Sequence, residues 1–308
     1  MTKLNKRLAT ILGGLVGLYI LTIAFHAARR ESNIQTVTFH VDTTGATEID
    51  LYPHIDGRRE IKLVRHSGQW RLKSGTIDVA PIVGSAENLL NTLVNIAVQR
   101  LVSRRKDEWD KYQVGDTSGT RIVVYKGTHP IADYYIGNGP SGEGGFYGSG
   151  LSFIRQNGHN EVYAIDGYWH GMVDKLPADW RDKTVLRLNS ADVSGISFQG
   201  NPGFVLSKRD SSWWLAQSRV RTDSVNRYLT RLQSYNLNQF ADNFNSPGSP
   251  DRSIIFNGAS SPLATVKAWK QSGGSWVVNS SQNGDSYFTV SDSVMNGELW
   301  CKPDAWAR

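Results

Sequence analysis

The chain has 308 residues, of which 39% are hydrophobic and 10% aromatic, with ten Trp and a single Cys. This composition excludes a disordered chain and a disulfide-stabilised scaffold, and the length favours two folded units over one. The net charge of +6 comes largely from residues 1–30, which hold five basic side chains and no acidic one. Because the remainder is nearly balanced, we predict no nucleic-acid partner.

Residues 8–28 form an apolar segment between Arg7 and Arg29, with His26 as its only titratable side chain apart from tyrosine. A helix of this length would be about 30 Å long, which matches the hydrocarbon layer of a bilayer. A cleaved signal peptide is the alternative, but the third positions before the two candidate cleavage points hold Phe25 and His26, which are not small. We therefore expect a single-pass protein of the bacterial inner (cell) membrane, with a cytoplasmic N-terminus and C-terminal domains in the periplasm or outside the cell.

Two parts of the remaining chain share a sequence pattern. Residues 61–72 align without a gap on residues 204–215, and each reads as a hairpin whose second strand carries Trp. Apolar residues at helical spacing follow, over residues 86–101 in the first copy and 225–240 in the second. Strand-like runs come after each predicted helix. This order predicts an α+β protein in which an N-terminal single transmembrane helix precedes two tandem repeats, each an antiparallel sheet with one packed helix.

The predicted domain boundaries follow from this repeat. Residues 1–30 are the cytoplasmic tip and transmembrane anchor. Residues 31–190 are the first α+β repeat with an N-terminal strand extension, and residues 191–308 are the second, shorter α+β repeat.

A family resemblance rests on segments between residues 60 and 200: Trp70-Arg-Leu, the predicted helix from Glu87 to Ser103, Tyr112-Gln-Val-Gly115, Val162-Tyr-Ala-Ile165, and Trp180-Arg-Asp-Lys183 leading to Leu186-Arg-Leu. Together these segments resemble a bacterial membrane-anchored family of unknown function whose members are often encoded beside ABC-transporter components of the gliding-motility type. The resemblance implies an accessory subunit outside the cytoplasm that works with a transporter or an envelope machine. It supplies no catalytic residues, because the matching positions are structural in character.

A glycine-rich segment beginning at Gly137 satisfies the spacing G-x-G-x-x-G after a strand-like run. A dinucleotide site needs a helix that starts at the third glycine, whereas the glycine-rich continuation to Gly150 does not sustain a helix. We predict a loop here, and no nucleotide or other cofactor. Phe146 and Tyr147 on this loop are candidate contacts for a partner.

The seven histidines include no pair with the spacing of a zinc motif, so we predict no metal site. Trp169 and His170 close a short segment that begins at Asp166, and both are candidate binding residues. A tryptophan packed over a sheet edge explains the same segment. Trp109 stands within a charged run, where it is either tucked beneath its neighbours or exposed for a partner, and the sequence leaves both open.

The sequence contains no G-x-S-x-G elbow, no Walker A loop and no C-x-x-C pair. We therefore expect a non-enzymatic, membrane-anchored accessory or docking protein associated with an ABC-type transporter or envelope machine. Its expected partners are the bilayer, through residues 8–28, and components of a membrane protein complex. The alternatives are a cell-envelope glycan- or peptide-binding module and an envelope hydrolase whose site is assembled from distant residues.

Overall fold

A computed structural model describes residues 14–23, 38–138 and 151–306. The chain divides into two compact units. Unit 1 comprises Met1–Ala46, Leu51–His54 and Asn88–Asp174, and unit 2 comprises Thr47–Asp50, Ile55–Glu87 and Lys175–Arg308. The domain boundaries expected from the sequence stay predictions.

Antiparallel strands make up most of the regular structure. In the described parts of the chain the strands are β1 (Thr38–His40), β2 (Glu48–Tyr52), β3 (Ile61–His66), β4 (Gln69–Ser74), β5 (Ile77–Val79), β6 (Asn95–Ser103), β7 (Thr120–Lys126), β8 (His129–Gly137), β9 (Leu151–Gln156), β10 (Val162–Asp166), β11 (Thr184–Arg187), β12 (Gly195–Gln199), β13 (Phe204–Arg209), β14 (Ser212–Leu215), β15 (Ser218–Arg219), β16 (Ser234–Asn236), β17 (Arg252–Asn257), β18 (Pro262–Lys270), β19 (Trp276–Ser280) and β20 (Asn283–Val290).

The α-helices of the same described ranges are α1 (14–23), α2 (Ser85–Val94), α3 (Trp169–Val173), α4 (Thr222–Leu232) and α5 (Asp292–Val294). Helix α5 continues as a π-helical turn over Met295–Leu299. Short 3₁₀ turns cover Lys106–Glu108, Asp110–Tyr112, Pro177–Trp180, Ser190–Asp192 and Pro303–Trp306.

The described strands form two large sheets and a two-stranded ribbon. The first sheet has the order β1-β6-β10-β9-β8-β7-β2-β3-β4-β5, the second has the order β15-β14-β13-β12-β17-β18-β19-β20, and β11 pairs with β16 in the ribbon. Eight strands of the first sheet, β5-β4-β3-β2-β7-β8-β9-β10, therefore follow the same order as the second sheet. The similar residues 61–72 and 204–215 lie in corresponding hairpins, β3–β4 and β13–β14.

The fold class predicted from the sequence is wrong in its transmembrane helix. No helix in the described ranges is long and apolar enough to cross a membrane. Helix α1 covers residues 14–23, which span about 15 Å at 1.5 Å per residue, roughly half of the hydrocarbon thickness. The remainder of the predicted span, residues 8–13 and 24–28, lies outside the described residues.

The prediction of repeats that each consist of a sheet with one packed helix is also wrong, because large sheets dominate the architecture. The helix predicted from Glu87 to Ser103 ends at Val94, and the chain continues as β6. Strand β6 pairs with β1 along one side and with β10 along the other. Its apolar residues fit alternating as well as helical spacing, and two available strand partners decide in favour of the strand.

The core of unit 2 lies where the apolar face of α4 joins residues of the second sheet. Val225, Tyr228, Leu229 and Leu232 recur at helical spacing and belong to one buried cluster with sheet residues such as Phe256. Burial of one such side chain stabilises the fold by about 1.5–3 kcal/mol. This core holds strands of the second sheet, among them those that carry a surface groove described below.

Candidate functional site

Trp169, a predicted binding residue, lies inside unit 1 at the start of α3. Its side chain is 5% exposed, and its indole Nε1 donates a hydrogen bond to the carbonyl oxygen of Asp166 at 2.8 Å. The Ser152 hydroxyl accepts hydrogen bonds from the backbone N–H groups of Trp169, at 2.9 Å, and of His170, at 3.3 Å. These bonds satisfy amide groups that the first turn of a helix leaves free, so the residues around Trp169 serve to hold α3 in place.

His170, the second predicted residue of this segment, is partly exposed and oriented by a buried acid. Its Nε2 lies 3.1 Å from Asp174 Oδ2. The Thr120 hydroxyl donates to Asp174 Oδ1 at 2.8 Å and accepts from the backbone N–H of His54 at 3.1 Å. A carboxylate that orients an imidazole is common at general-base sites. Here, however, the Thr120 hydroxyl is fully buried and donates to the Asp174 carboxylate, so it is not available to a substrate. The arrangement links α3 to β7, and a binding role for His170 stays a prediction.

Gly137, the first glycine of the glycine-rich segment, ends β8. A Cβ atom added at this position would collide with the backbone carbonyl oxygens of Tyr112 and Gln113. The glycine therefore permits a close approach between two stretches of backbone. The predicted partner contacts Phe146 and Tyr147 fall within residues 139–150, outside the described residues.

Residues 104–119, between β6 and β7, are called the first connection, and they pack onto strands β8 to β10. Trp109 is 7% exposed and shares a buried cluster with Val114 of the same connection and with Tyr135 and Phe153 of the sheet. Its indole Nε1 donates to the carbonyl oxygen of Asn160 at 3.1 Å. Of the two alternatives that the sequence left open for Trp109, the structure has the buried one.

Arg155 of β9 fastens the first connection to the sheet. Its side chain is 1% exposed, and its guanidinium carbon lies 3.7 Å from the ring centre of Trp109 and 4.2 Å from that of Tyr135. The guanidinium donates to the carbonyl oxygen of Val114 at 2.8 Å and to Asp116 Oδ1 at 2.6 Å. A planar cation with several donors suits this position, because it stacks between rings while it satisfies separate acceptors.

Residues 237–251, between β16 and β17, are called the second connection, and they hold the corresponding position in unit 2. The backbone N–H of Ala241 donates to the carbonyl oxygen of Tyr287 at 2.8 Å, so the connection first runs along β20. Arg181 is 2% exposed, and its guanidinium carbon lies 3.6 Å from the ring centre of Phe240. Its Nη1 donates to Asp242 Oδ1 at 2.6 Å. A buried arginine therefore anchors this connection as well.

Beyond Asp242 the second connection forms one wall of a surface groove of about 640 Å³, here called the aromatic groove. The opposite wall is the turn between β18 and β19. The indole Nε1 of Trp269 donates to the carbonyl oxygen of Gly248 at 3.3 Å, and the backbone N–H of Lys270 donates to Asp251 Oδ2 at 2.8 Å. These bonds tie the walls together, and the volume falls in the range of about 300–1,000 Å³ that is usual for small-ligand sites.

The rings of the aromatic groove form a fixed group. The ring centre of Phe244 lies 5.4 Å from that of Trp269 and 5.3 Å from that of Tyr287. Trp269 is buried, whereas Phe244 keeps part of its surface in solvent. Such tilted ring pairs stabilise one another by about 0.5–1.5 kcal/mol beyond burial. The buried ring of Trp269 and the half-buried ring of Tyr287 thus support Phe244 at the groove surface.

Residues 81–85 form a second unusual surface of unit 2, here called the apolar loop. The side chains of Ile82 and Val83 are 42% and 92% exposed. The backbone N–H of Ile82 donates to the carbonyl oxygen of Trp180 at 2.8 Å, and Pro81 and Arg181 form an isolated β-bridge. The loop therefore holds two large aliphatic side chains in solvent on a backbone of fixed conformation.

A charged cluster in unit 2 surrounds Asp50, which is 2% exposed. Lys62 Nζ lies 3.1 Å from Asp50 Oδ2 and 2.9 Å from Glu48 Oε1. Burial, together with the neighbouring Glu48, raises the pKa of Asp50 to about 6. For Glu48, burial alone would raise the pKa. The hydrogen bond from Lys62 acts against burial, and the pKa of Glu48 lies below its ordinary value. The cluster links the pH to the stability of unit 2.

Sequence reasoning missed both arginine anchors and the aromatic groove. The ion pairs join residues far apart in the chain, such as Arg155 with Asp116, and no local pattern marks them. One usable signal was the stretch from Asn243 to Pro250, which is rich in turn-forming residues and carries Phe244. Across the described residues, no group of three or more His, Cys, Asp or Glu side chains is arranged to hold a metal ion.

Comparison with known proteins relates this chain to one family. The family model described as a domain of unknown function, DUF4340, matches residues 84–252. No curated protein and no solved structure matches the chain. The matched residues include helix α2 and both connections. They also include Arg155 and Arg181, which anchor the first and the second connection. Because the match covers more than half of the 308 residues, the chain belongs to the DUF4340 family.

Proposed function

We propose that this protein is a non-enzymatic accessory protein that docks onto a larger protein complex through the apolar loop. The observation that carries the proposal is the exposure of Ile82 and Val83 on a backbone fixed by a hydrogen bond and a β-bridge. Because the backbone is already ordered, binding there costs less conformational entropy than on a free loop. Exposed apolar side chains with charged surroundings are typical of protein interfaces.

The segment opposite the apolar loop supports this role. Leu176, four residues before Trp180, is a further exposed aliphatic side chain, with 41% of its surface in solvent. The same segment carries charged groups, since the Lys175 ammonium lies 5.3 Å from the ring centre of Trp180 and Lys183 pairs with Asp179 at 3.1 Å. An apolar centre with a charged rim is the usual composition of an interface between separately folded proteins.

Unpartnered polar atoms at the same place also support a functional surface. In the described part of the chain, Ser85 Oγ, Trp180 Nε1 and Arg181 Nε are buried without a hydrogen-bond partner. Each such group costs about 1–3 kcal/mol. The contact between the apolar loop and the segment with Trp180 and Arg181 is therefore less stable than it would be if these atoms were paired. Such local losses of stability are characteristic of functional sites.

The proposal also concerns the kind of partner. The resemblance noted in the sequence favours a component of an ABC-type transporter or an envelope complex, met outside the cytoplasm. The transmembrane helix expected over residues 8–28 is not part of the proposal. Docking through the apolar loop requires only that the partner offers a complementary apolar surface.

Site-specific photocrosslinking tests the proposal. A benzoylphenylalanine side chain replaces Val83 in the full chain, expressed in its native cells, and Val205, which is 52% exposed on β13, serves as the matched control. We expect Val83 adducts to contain a component of the transporter or envelope complex, and Ile82→Asp to abolish them. Equal adducts from both positions, or adducts that persist in the Ile82→Asp variant, would refute docking through this loop.

A further inference from the structure

We propose that the aromatic groove binds a neutral oligosaccharide. In this arrangement the exposed face of Phe244 contacts the C–H face of a sugar ring, and amide side chains of the second connection bond to its hydroxyl groups. The inference rests on the groove alone and is independent of docking through the apolar loop.

The first step concerns the preorganised ring. Phe244 is held against Trp269 and Tyr287, with ring centres 5.4 Å and 5.3 Å away. Trp269 is itself 4% exposed and hydrogen-bonded to Gly248 of the second connection. The Phe244 ring therefore needs little ordering when a ligand arrives. Pyranose rings present an apolar C–H face, and a fixed aromatic ring is a suitable surface for it.

The second step concerns free hydrogen-bonding groups beside the ring. Asn243 and Asn245 flank Phe244, line the groove and are exposed. Neither side chain makes a hydrogen bond within the described ranges. An amide offers an acceptor and two donors in one plane, which suits neighbouring hydroxyl groups that each donate and accept. These two residues thus add free amide groups to the groove that contains the Phe244 ring.

The third step concerns charge. The groove contains two carboxylates, of which Asp242 already pairs with the buried Arg181 at 2.6 Å. Asp251 accepts the backbone N–H of Lys270, whose ammonium lies over the ring of Trp276, 5.8 Å from its centre. Both carboxylates are thus already bonded within the protein. An anionic polymer would find two carboxylates and no complementary field here, whereas a neutral sugar needs none.

The fourth step separates a sugar from an extended peptide. Peptides that bind beside a sheet usually pair with the backbone of an edge strand. At the groove, the second connection already pairs with β20, through the bond from Ala241 to Tyr287 and the bridge between Phe240 and Phe288. The backbone groups that a peptide would use there are engaged, so recognition falls to side chains.

A second groove of unit 2 illustrates what the aromatic groove adds. It has a similar volume of about 610 Å³ and is lined by polar side chains such as Arg187, Asn189 and Gln282, with no aromatic ring among its lining residues in the described part of the chain. Leu188 and Leu263 also line it, but it offers no aromatic ring on which a sugar could stack. Its residues therefore supply controls of matched type.

Isothermal titration calorimetry of the full chain tests the inference. The neutral probes are chitotetraose and cellotetraose, and the anionic probe is tetragalacturonate. We expect at least one neutral tetrasaccharide to bind, with the anionic probe weaker by about tenfold or more. Phe244→Ala and the double variant Asn243→Ala/Asn245→Ala each weaken binding by about tenfold. Asn189→Ala, the control in the second groove, leaves the affinity within about twofold.

Several results would overturn the inference. They are the absence of binding to both neutral probes at millimolar concentration, equal affinity for the anionic probe, and wild-type affinity in the double amide variant. The double variant changes exposed side chains only, so it remains informative even where Phe244→Ala lowers stability. Binding of a neutral extended peptide in place of the sugars would identify a different occupant and would also overturn it. Docking through Val83 is tested by crosslinking, so either proposal can fail without the other.

Discussion

The first and second connections occupy the same position in the order of their two sheets, and a buried arginine anchors each. In both, the guanidinium stacks on an aromatic ring of the connection, Trp109 or Phe240, at 3.7 Å or 3.6 Å. In both, the same cation pairs with an aspartate of the connection at 2.6 Å. The surfaces that result are nevertheless different, since one connection lies closed on its sheet and the other forms a groove.

The position of each arginine in the fold accounts for the difference between the two connections. Arg155 stands on the sheet strand β9 and also contacts Tyr135 and the backbone of Val114, so it draws the middle of the connection onto the sheet. Arg181 precedes β11, holds only the first residues of its connection, and keeps its Nε without a partner in the described residues. The later residues are tied instead to Trp269 and Lys270 and form a groove wall. One topology thus supports a closed cap in one unit and a candidate binding site in the other.

The largest effect is expected where the closed connection loses its anchor. Arg155→Ala removes two ring contacts, takes the donor from the buried carbonyl oxygen of Val114 and empties a buried site, which should lower the free energy of unfolding by about 3–5 kcal/mol. Denaturant unfolding measures this change. Arg104→Ala, at an exposed position of the first connection, should cost less than about 0.5 kcal/mol. Similar costs for the two variants would mean that Arg155 is no anchor.

The close approach at Gly137 gives the next largest effect. Gly137→Ala places a methyl group against the carbonyl oxygens of Tyr112 and Gln113, and because backbone atoms yield less readily than side chains, we expect a loss of about 3 kcal/mol. A thermal unfolding series gives the value. Gly273→Ala is the control, since a Cβ there meets open space. If both variants unfold like the wild type, the first connection does not pack on β8 as described.

The open connection should depend less on its arginine. Arg181→Ala removes one ring contact and the pairing with Asp242, and we expect a loss of about 2 kcal/mol in the free energy of unfolding. The value comes from the same denaturant experiment as that for Arg155→Ala, with Arg187→Ala as an exposed control. A cost equal to or greater than that of Arg155→Ala would contradict the distinction between a closed and an open connection.

The smallest effect concerns pH and the cluster around Asp50. The folded-state pKa of about 6 exceeds the ordinary value, so the folded protein holds this proton more tightly than the unfolded chain. The resulting stability is complete below about pH 4 and is lost as the pH rises through about 6. Glu48, whose pKa is lowered, acts in the opposite sense only at more acidic pH. Asp50 therefore dominates between about pH 4.5 and pH 7.

Asp50→Asn should remove this loss, which we expect to be about 1 kcal/mol between pH 4.5 and pH 7. The free energy of unfolding, measured at both pH values, gives the difference. Asp304→Asn, at an exposed position, should retain the wild-type pH dependence. An Asp50→Asn variant with an unchanged pH dependence would show that the proton is held elsewhere.

Local patterns were informative where one short segment determines its own structure. The hairpin read from residues 61–72 is present as β3 and β4, and the apolar spacing from Val225 to Leu232 lies in α4. Alternation, turn residues and helical spacing act over a few residues, so they are visible in a single sequence. The same reasoning failed for β6, because its residues satisfy two periods and the neighbouring strands select one.

What the amino-acid sequence alone determined is therefore limited to short elements, the near balance of charge after residue 30, and the similarity between the two hairpin segments. The tertiary structure decided the large sheets, the burial of Trp109, the closed connection under Arg155 and the aromatic groove. The physical reason is that these features depend on contacts between residues distant in the chain, such as Phe244 with Trp269 and Tyr287. Such contacts form only when the strands have found their order, and no periodicity along the chain records that order.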